Sequence, residues 1–176
     1  AGHVQPLLRD DDMEAMEALA AAADAKDSHM RGHSMSVMRM AVTLGEGLSM
    51  SAEEMSNLRA AALLHDLGRI GTPEEILSKP GPLASEEWKK IENHAKLGSR
   101  ILKHVQQMGS IVPGVKHHHE RYDGKGYPSG LSGKNIPILA RIIAIADAYD
   151  AMTSTRSYRE ALPVEDAIEE LRRGSG

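Results

Sequence analysis

The sequence predicts an all-α protein, a bundle of about seven helices interrupted by one long glycine-rich loop. Three observations predict it. Apolar residues recur at helical spacing in segment after segment. Helix start signals stand in front of those segments. Strand-like alternation is nowhere convincing. A length of 176 residues suits one domain with a sizeable core. With 41% hydrophobic and 26% charged residues, the composition is that of an ordinary packed chain.

The elements follow in order. Asp10, Asp11 and Asp12 place negative charge at a helix start, and Met13, Met16, Leu19, Ala20 and Ala23 carry the helical period through Lys26. This thin, Ala-rich helix, residues 1–26, either packs on the body or is the end of a connector from an upstream domain. A second helix is expected over Ser28–Leu48, weakened at its end by Gly45 and Gly47. Ser51 and Glu54 have the capping-box spacing and start a third helix, which carries His65 and Asp66 near its end; Gly68 and Gly71 are read as its terminators. Pro73 is placed at the first position of a short fourth helix, before the loop at Lys79–Pro82. Ser85 is read as the cap of a longer helix with Trp88, Ile91, His94, Leu97, Ile101 and Leu102. Val112–Glu120 ends in three consecutive histidines. Arg121–Pro137, with Gly124, Gly126, Gly130 and Gly133, reads as loop. Ile138–Met152 and a segment from Pro163 to Arg173 complete the bundle.

Composition narrows the chemistry. There is no Cys, which excludes disulfides, thiolate nucleophiles and iron–sulfur clusters and leaves nitrogen and oxygen as the metal donors. A net charge of -4, with one Trp, four Tyr and no Phe, provides neither a basic footprint nor a stacking platform for a nucleic-acid polymer. No stretch of apolar residues is long enough to span a bilayer, and no signal sequence opens the chain, so a cytoplasmic location is expected.

Nine histidines are the remaining excess. His33, His65, His94, His118 and Asp147 fall on, or at the end of, different predicted helices, which is how bundles build metal sites. Any one of these histidines alone reads as a surface or core residue. Together they exceed the ligand need of a single ion and indicate two ions sharing a carboxylate, with Asp66 the best bridge. Paired ions about 3.5–4 Å apart suit phosphodiester hydrolysis. Iron, manganese, nickel and zinc all accept such donors.

The run His65-Asp66-Leu67-Gly68-Arg69-Ile70, followed by His118-His119-Glu120-Arg121-Tyr122-Asp123-Gly124-Lys125-Gly126-Tyr127-Pro128, resembles the HD-GYP family of cyclic di-GMP phosphodiesterases, a branch of the HD-domain metal phosphohydrolases. Lys79-Pro80-Gly81, Ala146–Ser154 and Arg156-Ser157-Tyr158-Arg159 extend the resemblance, which places the HD-GYP domain over 27–176 with its C-terminal end short of the family's usual extent. The resemblance implies His33, His65, Asp66 and Asp147 around one ion and Asp66, His94, His118 and His119 around a second, iron or manganese before nickel or zinc. It implies His65, Asp66 and Arg69 as catalytic residues. Arg69, Arg156, Arg159, Gly126, Tyr127 and Asp150 would bind or orient substrate, cyclic di-GMP, which a metal-bridging hydroxide would cut to pGpG, GMP or both. It further implies diguanylate cyclase (GGDEF) domains as partners of the loop, an upstream sensory or receiver domain in the full-length protein, and a homodimer.

Two positions depart from the family. Arg69 stands where members often carry Lys, and a guanidinium can clamp phosphate but cannot give up a proton. His29, one helical turn before His33, stands where some members place a Glu for a third ion; it reads as a third-ion ligand, as a support for a ligand, or as a surface residue. Two other readings of the domain stay open: hydrolysis of another cyclic dinucleotide such as cyclic GMP-AMP, and a catalytically impaired sensor of cyclic di-GMP or partner-docking module.

Overall fold

The computed structural model describes residues 10–27, 30–155 and 160–174. Among them are eight α-helices and no strand: α1 (Asp10–Asp24), α2 (His33–Gly47), α3 (Ala52–Leu64), α4 (Glu74–Leu77), α5 (Ser85–Leu102), α6 (Val112–His117), α7 (Ile138–Thr153) and α8 (Val164–Arg173). None is long and apolar enough to cross a membrane. His29, Arg156 and Arg159 lie outside the described residues.

Helix α3 is the central post. Its start is the reciprocal cap expected from the sequence: the Ser51 hydroxyl accepts from the Glu54 amide at 3.3 Å, and the Glu54 carboxylate accepts from the Ser51 amide at 2.8 Å. From Ala60 to Leu64 every residue is buried, with α1, α2, α6 and α7 packed around it. Small residues at Ala60, Ala61 and Ala62 let those helices come close. Leu58, Leu63, Ile111, Val115, Ile142 and Ile143 fill the space between them, each worth about 1.5–3 kcal/mol on burial.

Helix α1 buries Met16, Ala20 and Ala23 in this same core. Its last turn is anchored further by Asp24, which accepts from the Ser34 amide at 3.1 Å and the Ser34 hydroxyl at 2.6 Å. The Lys26 ammonium donates to the Ile70 carbonyl.

Several boundaries differ from expectation by a few residues. Helix α2 starts at His33 because Gly32 takes a left-handed conformation (φ 74°), where only glycine is unstrained, and the helix runs through Gly45 and Gly47. Pro73 and Ala84, not residues inside the helices, are the capping positions of α4 and α5. The Ala84 amide is satisfied by Glu87 at 2.7 Å.

Gly68 and Gly71 do not stop α3, which ends at Leu64; they belong to a 3₁₀ turn, Leu67–Gly71, pressed against α5. A Cβ on Gly68 would lie 1.9 Å from the His94 carbonyl oxygen and 2.6 Å from the Gly98 amide nitrogen. Glycine is required there by close backbone approach, and that approach brings His94 over Asp66.

Candidate metal centre

His33 opens α2, His65 and Asp66 follow α3, His94 lies in α5, His118 and His119 follow α6, and Asp147 and Asp150 share a face of α7. Backbone carbonyls orient three of the rings. Nδ1 of His65 lies 2.7 Å from the Ala62 oxygen, Nδ1 of His94 2.6 Å from that of Ile91, and Nδ1 of His118 2.7 Å from that of Val115. A carbonyl only accepts, so Nδ1 is the protonated nitrogen in each ring, and Nε2 is left to face the centre of the bundle. The same local geometry, a histidine bonding back three residues, recurs just after α3, within α5 and just after α6.

Asp66 lies between the rings and divides its two oxygens. Oδ1 is 3.1 Å from His94 Nε2 and 3.9 Å from His118 Nε2. Oδ2 is 3.6 Å from His65 Nε2 and 4.0 Å from His33 Nε2. Two donor sets result: Asp66 with His94, His118 and His119, and Asp66 with His33 and His65, the donor atoms of each set within 4.8 Å of one another. Asp147 adds a carboxylate to the second set, 3.3 Å from His33 Nε2. Asp150 holds the far side of the His33 ring, its Oδ2 2.7 Å from Nδ1.

The residues present fit divalent cations. His65 Nε2 and Asp66 Oδ1 are buried without a hydrogen-bond partner, a costly arrangement unless something else satisfies them. His94 Nε2 and His118 Nε2 face each other at 3.2 Å, both turned toward the space beside Asp66. All donors are imidazole nitrogen or carboxylate oxygen, the set that iron, manganese, nickel and zinc accept.

Electrostatics divide the rings. Burial lowers the His65 imidazolium; burial and neighbouring histidines hold His118 well below its ordinary value and bring His119 down to about 3. These three rings are neutral at pH 7 and present lone pairs. Burial also opposes charge on His33, but hydrogen bonds to Asp147 and Asp150 outweigh it and bring the ring up to about 10. Burial works against the Asp66 carboxylate as well, yet Arg69 and the surrounding histidines hold it well below the usual carboxylate range.

Arg69 points inward. Its Nε forms an ion pair with Asp66 Oδ2 at 2.7 Å, and a terminal nitrogen lies 3.7 Å from Asp27 Oδ2. The Tyr127 ring lies on His119, centroids 4.8 Å apart and planes at 31°, and the Tyr127 amide donates to the His119 carbonyl. Gly126 backs onto the main chain of His119, Glu120 and Arg121. A polar cavity lined by Arg31, Ser36, Ser154 and Thr155 opens beside His33 and Asp150.

Sequence reasoning missed Glu120. Its buried carboxylate accepts from the Ser129 amide at 2.7 Å and the Leu131 amide at 3.0 Å, with His117 Nδ1 3.2 Å away, so one side chain folds the glycine-rich loop back over the site. The signal available was an acid directly after the histidines and before a long loop. Asp27 was missed for want of any local pattern.

Known proteins resemble this chain along most of its length. A cyclic di-GMP phosphodiesterase of Thermotoga maritima is 38% identical over 93% of this chain and 45% of its own. A 3'3'-cGAMP-specific phosphodiesterase of Vibrio cholerae is 38% identical over 82% of this chain and 32% of its own. The chain thus spans less than half the length of these relatives. A crystal structure of a cyclic GMP-AMP specific phosphodiesterase from Vibrio cholerae superposes with a TM-score of 0.73 over 93% of this chain and 44% of that one, at 19% identity, and so shares the fold. The profile of one family, described as HD domain, matches residues 17–176, from the middle of α1 past every ligand position of the cluster; the chain belongs to the HD domain family.

Proposed function

We propose that this domain is a metal-dependent phosphodiesterase that hydrolyses cyclic di-GMP to the linear dinucleotide, to GMP, or to both. The observation that carries the reading is the division of Asp66, one oxygen toward His94 and His118 and the other toward His33 and His65. A carboxylate so placed could serve two cations: Asp66, His94, His118 and His119 would hold one, and His33, His65, Asp66 and Asp147 would hold the other. The donor set accepts iron, manganese, nickel and zinc alike, and iron or manganese is proposed first on the family resemblance alone. Two such ions, when bound, supply a nucleophile from water at neutral pH and neutralise charge on the phosphate oxygens.

The chain's own residues do the rest. The Ala62, Ile91 and Val115 carbonyls fix the tautomer and direction of three ligand rings, and Asp150 does the same for His33. Arg69 stays charged throughout and positions phosphate. Arg156 and Arg159, which lie outside the described residues, are proposed on sequence grounds to do likewise. Tyr127 covers the outer face of His119 and keeps water from that side, while Glu120 holds the loop that carries it. The sequence similarity to a cyclic di-GMP phosphodiesterase of Thermotoga maritima supports this substrate.

A second substrate, 3'3'-cyclic GMP-AMP, is favoured by one observation: the relative named for that substrate is as similar to this chain, at 38%, as the one named for cyclic di-GMP. The test is incubation of metal-loaded protein with each dinucleotide and chromatography of the products. Linear dinucleotide or GMP is expected from cyclic di-GMP, and no product from Asp66→Asn or His65→Ala. Tight binding with unchanged nucleotide would contradict an enzymatic role, and turnover of cyclic GMP-AMP alone would reassign the substrate.

A further inference from the structure

The two halves of the cluster are not equivalent: the His33/His65 side adds the Asp147 carboxylate, and Arg69 is paired with the Asp66 oxygen that faces that side. The Asp66 oxygen facing His94 and His118 lies 3.1 Å and 3.9 Å from their Nε2 atoms. The oxygen facing His33 and His65 already has a guanidinium nitrogen 2.7 Å away. A cation entering the His33/His65 position therefore shares its Asp66 oxygen directly with a fixed positive charge, whereas one entering the other position feels that charge only at longer range, where it also acts on His119. The guanidinium is largely out of solvent, with 20% of the side chain exposed, so water screens this repulsion poorly.

The far end of the same guanidinium lies 3.7 Å from the Asp27 carboxylate, itself 13% exposed. Arg69 is thus suspended between two acids, one at the centre of the cluster and one just after α1. Asp27 stands on a fixed base: three residues earlier Asp24 is tied to Ser34, and Lys26 donates to the Ile70 carbonyl in the turn that carries Arg69. A short movement of the guanidinium toward Asp27 frees the Asp66 oxygen.

We propose that Arg69 is an internal counter-cation that makes the His33/His65 position the weaker of the two metal sites, and that Asp27 is the positioning residue that draws Arg69 away as the second ion enters. The inference rests on the two-ion reading above and adds an order of loading: His94, His118 and His119 fill first, and the second ion enters against Arg69. At low metal the domain holds one ion, and full assembly of the centre responds to metal supply.

The test is a titration of chelator-stripped protein with Mn²⁺ alone, followed by electron paramagnetic resonance and calorimetry. The wild type should bind one ion with the signal of an isolated Mn²⁺, then a second at least tenfold more weakly, with appearance of a coupled pair. Arg69→Gln should bring the two affinities to within about threefold by tightening the second, an effect of the size expected for charges and hydrogen bonds just outside a ligand set, about 10- to 100-fold. Asp27→Asn should weaken the second ion and leave the first unchanged; because it alters a partly exposed side chain, it provides an independent arm if Arg69→Gln does not fold. Equal affinities in the wild type, an unchanged or wider gap in Arg69→Gln, or no effect of Asp27→Asn would overturn the inference while leaving the two-ion reading intact. Failure of the wild type to bind any Mn²⁺ would overturn both.

Discussion

The metal-free protein should be most stable near pH 6.5 and lose stability on both sides, for two opposite reasons. On the alkaline side the group is His33. Its folded value, about 10, lies above the 6.5 of an unfolded chain, so its stabilisation is complete below 6.5 and is lost as pH rises through about 10. One proton changes stability by about 1.4 kcal/mol per pH unit in that window, so about 2–3 kcal/mol should disappear between roughly pH 7.5 and 9.5. On the acid side His65, His118 and His119 act together. Their folded values are depressed, that of His119 to about 3, so the unfolded chain takes up protons at 6.5 that the folded chain refuses. Three protons give a slope of up to about 4 kcal/mol per pH unit just below 6.5, steeper than the alkaline limb. Urea unfolding with a chelator present, repeated across this range, measures the curve, and His33→Gln should flatten only the alkaline limb. Stability that is constant or rising from pH 7.5 to 9.5 in the wild type would refute the assignment of His33 as a charged ring between Asp147 and Asp150.

Other outcomes follow from single contacts. Gly68→Ala drives a methyl against the His94 carbonyl and should cost about 1–3 kcal/mol, read as a fall in melting temperature; an unchanged melt would mean α5 does not approach that turn as described. Glu120→Ala leaves the Ser129 and Leu131 amides without their acceptor, and hydrogen exchange at those two amides should quicken while α3 stays protected. Asp150→Asn keeps an acceptor for His33 but removes its charge, and should weaken metal binding by about 10- to 100-fold without unfolding the domain.

Much of the site was legible because its signals are local. His-Asp and His-His pairs sit side by side in the chain, and the helical period places each pair at a helix end. The capping box at Ser51 and Glu54 was readable for the same reason, being complete within four residues. What escaped depends on contacts distant in sequence. Gly68 looks like a helix stop until α5 is seen pressing on it, and Asp24, Asp27 and Glu120 look like ordinary surface acids until Ser34, Arg69 and the 129–131 amides are brought to them. Each of the eight helices observed among the described residues, the short α4 and α6 included, has its counterpart among the segments read as helical, so the count of about seven is close. Arg69 was legible as a cation near the centre. Its lodging on Asp66 was not, since nothing in the local pattern says which way a long side chain turns.

The central claim is that one carboxylate joins two cations. Anomalous diffraction from metal-loaded crystals, collected on either side of the absorption edge of the bound metal, tests it most directly. The account predicts two peaks about 3.5–4 Å apart, one among His94, His118 and His119, the other among His33, His65 and Asp147, with Asp66 touching both. A single peak, or two peaks with Asp66 bound to only one, would contradict it.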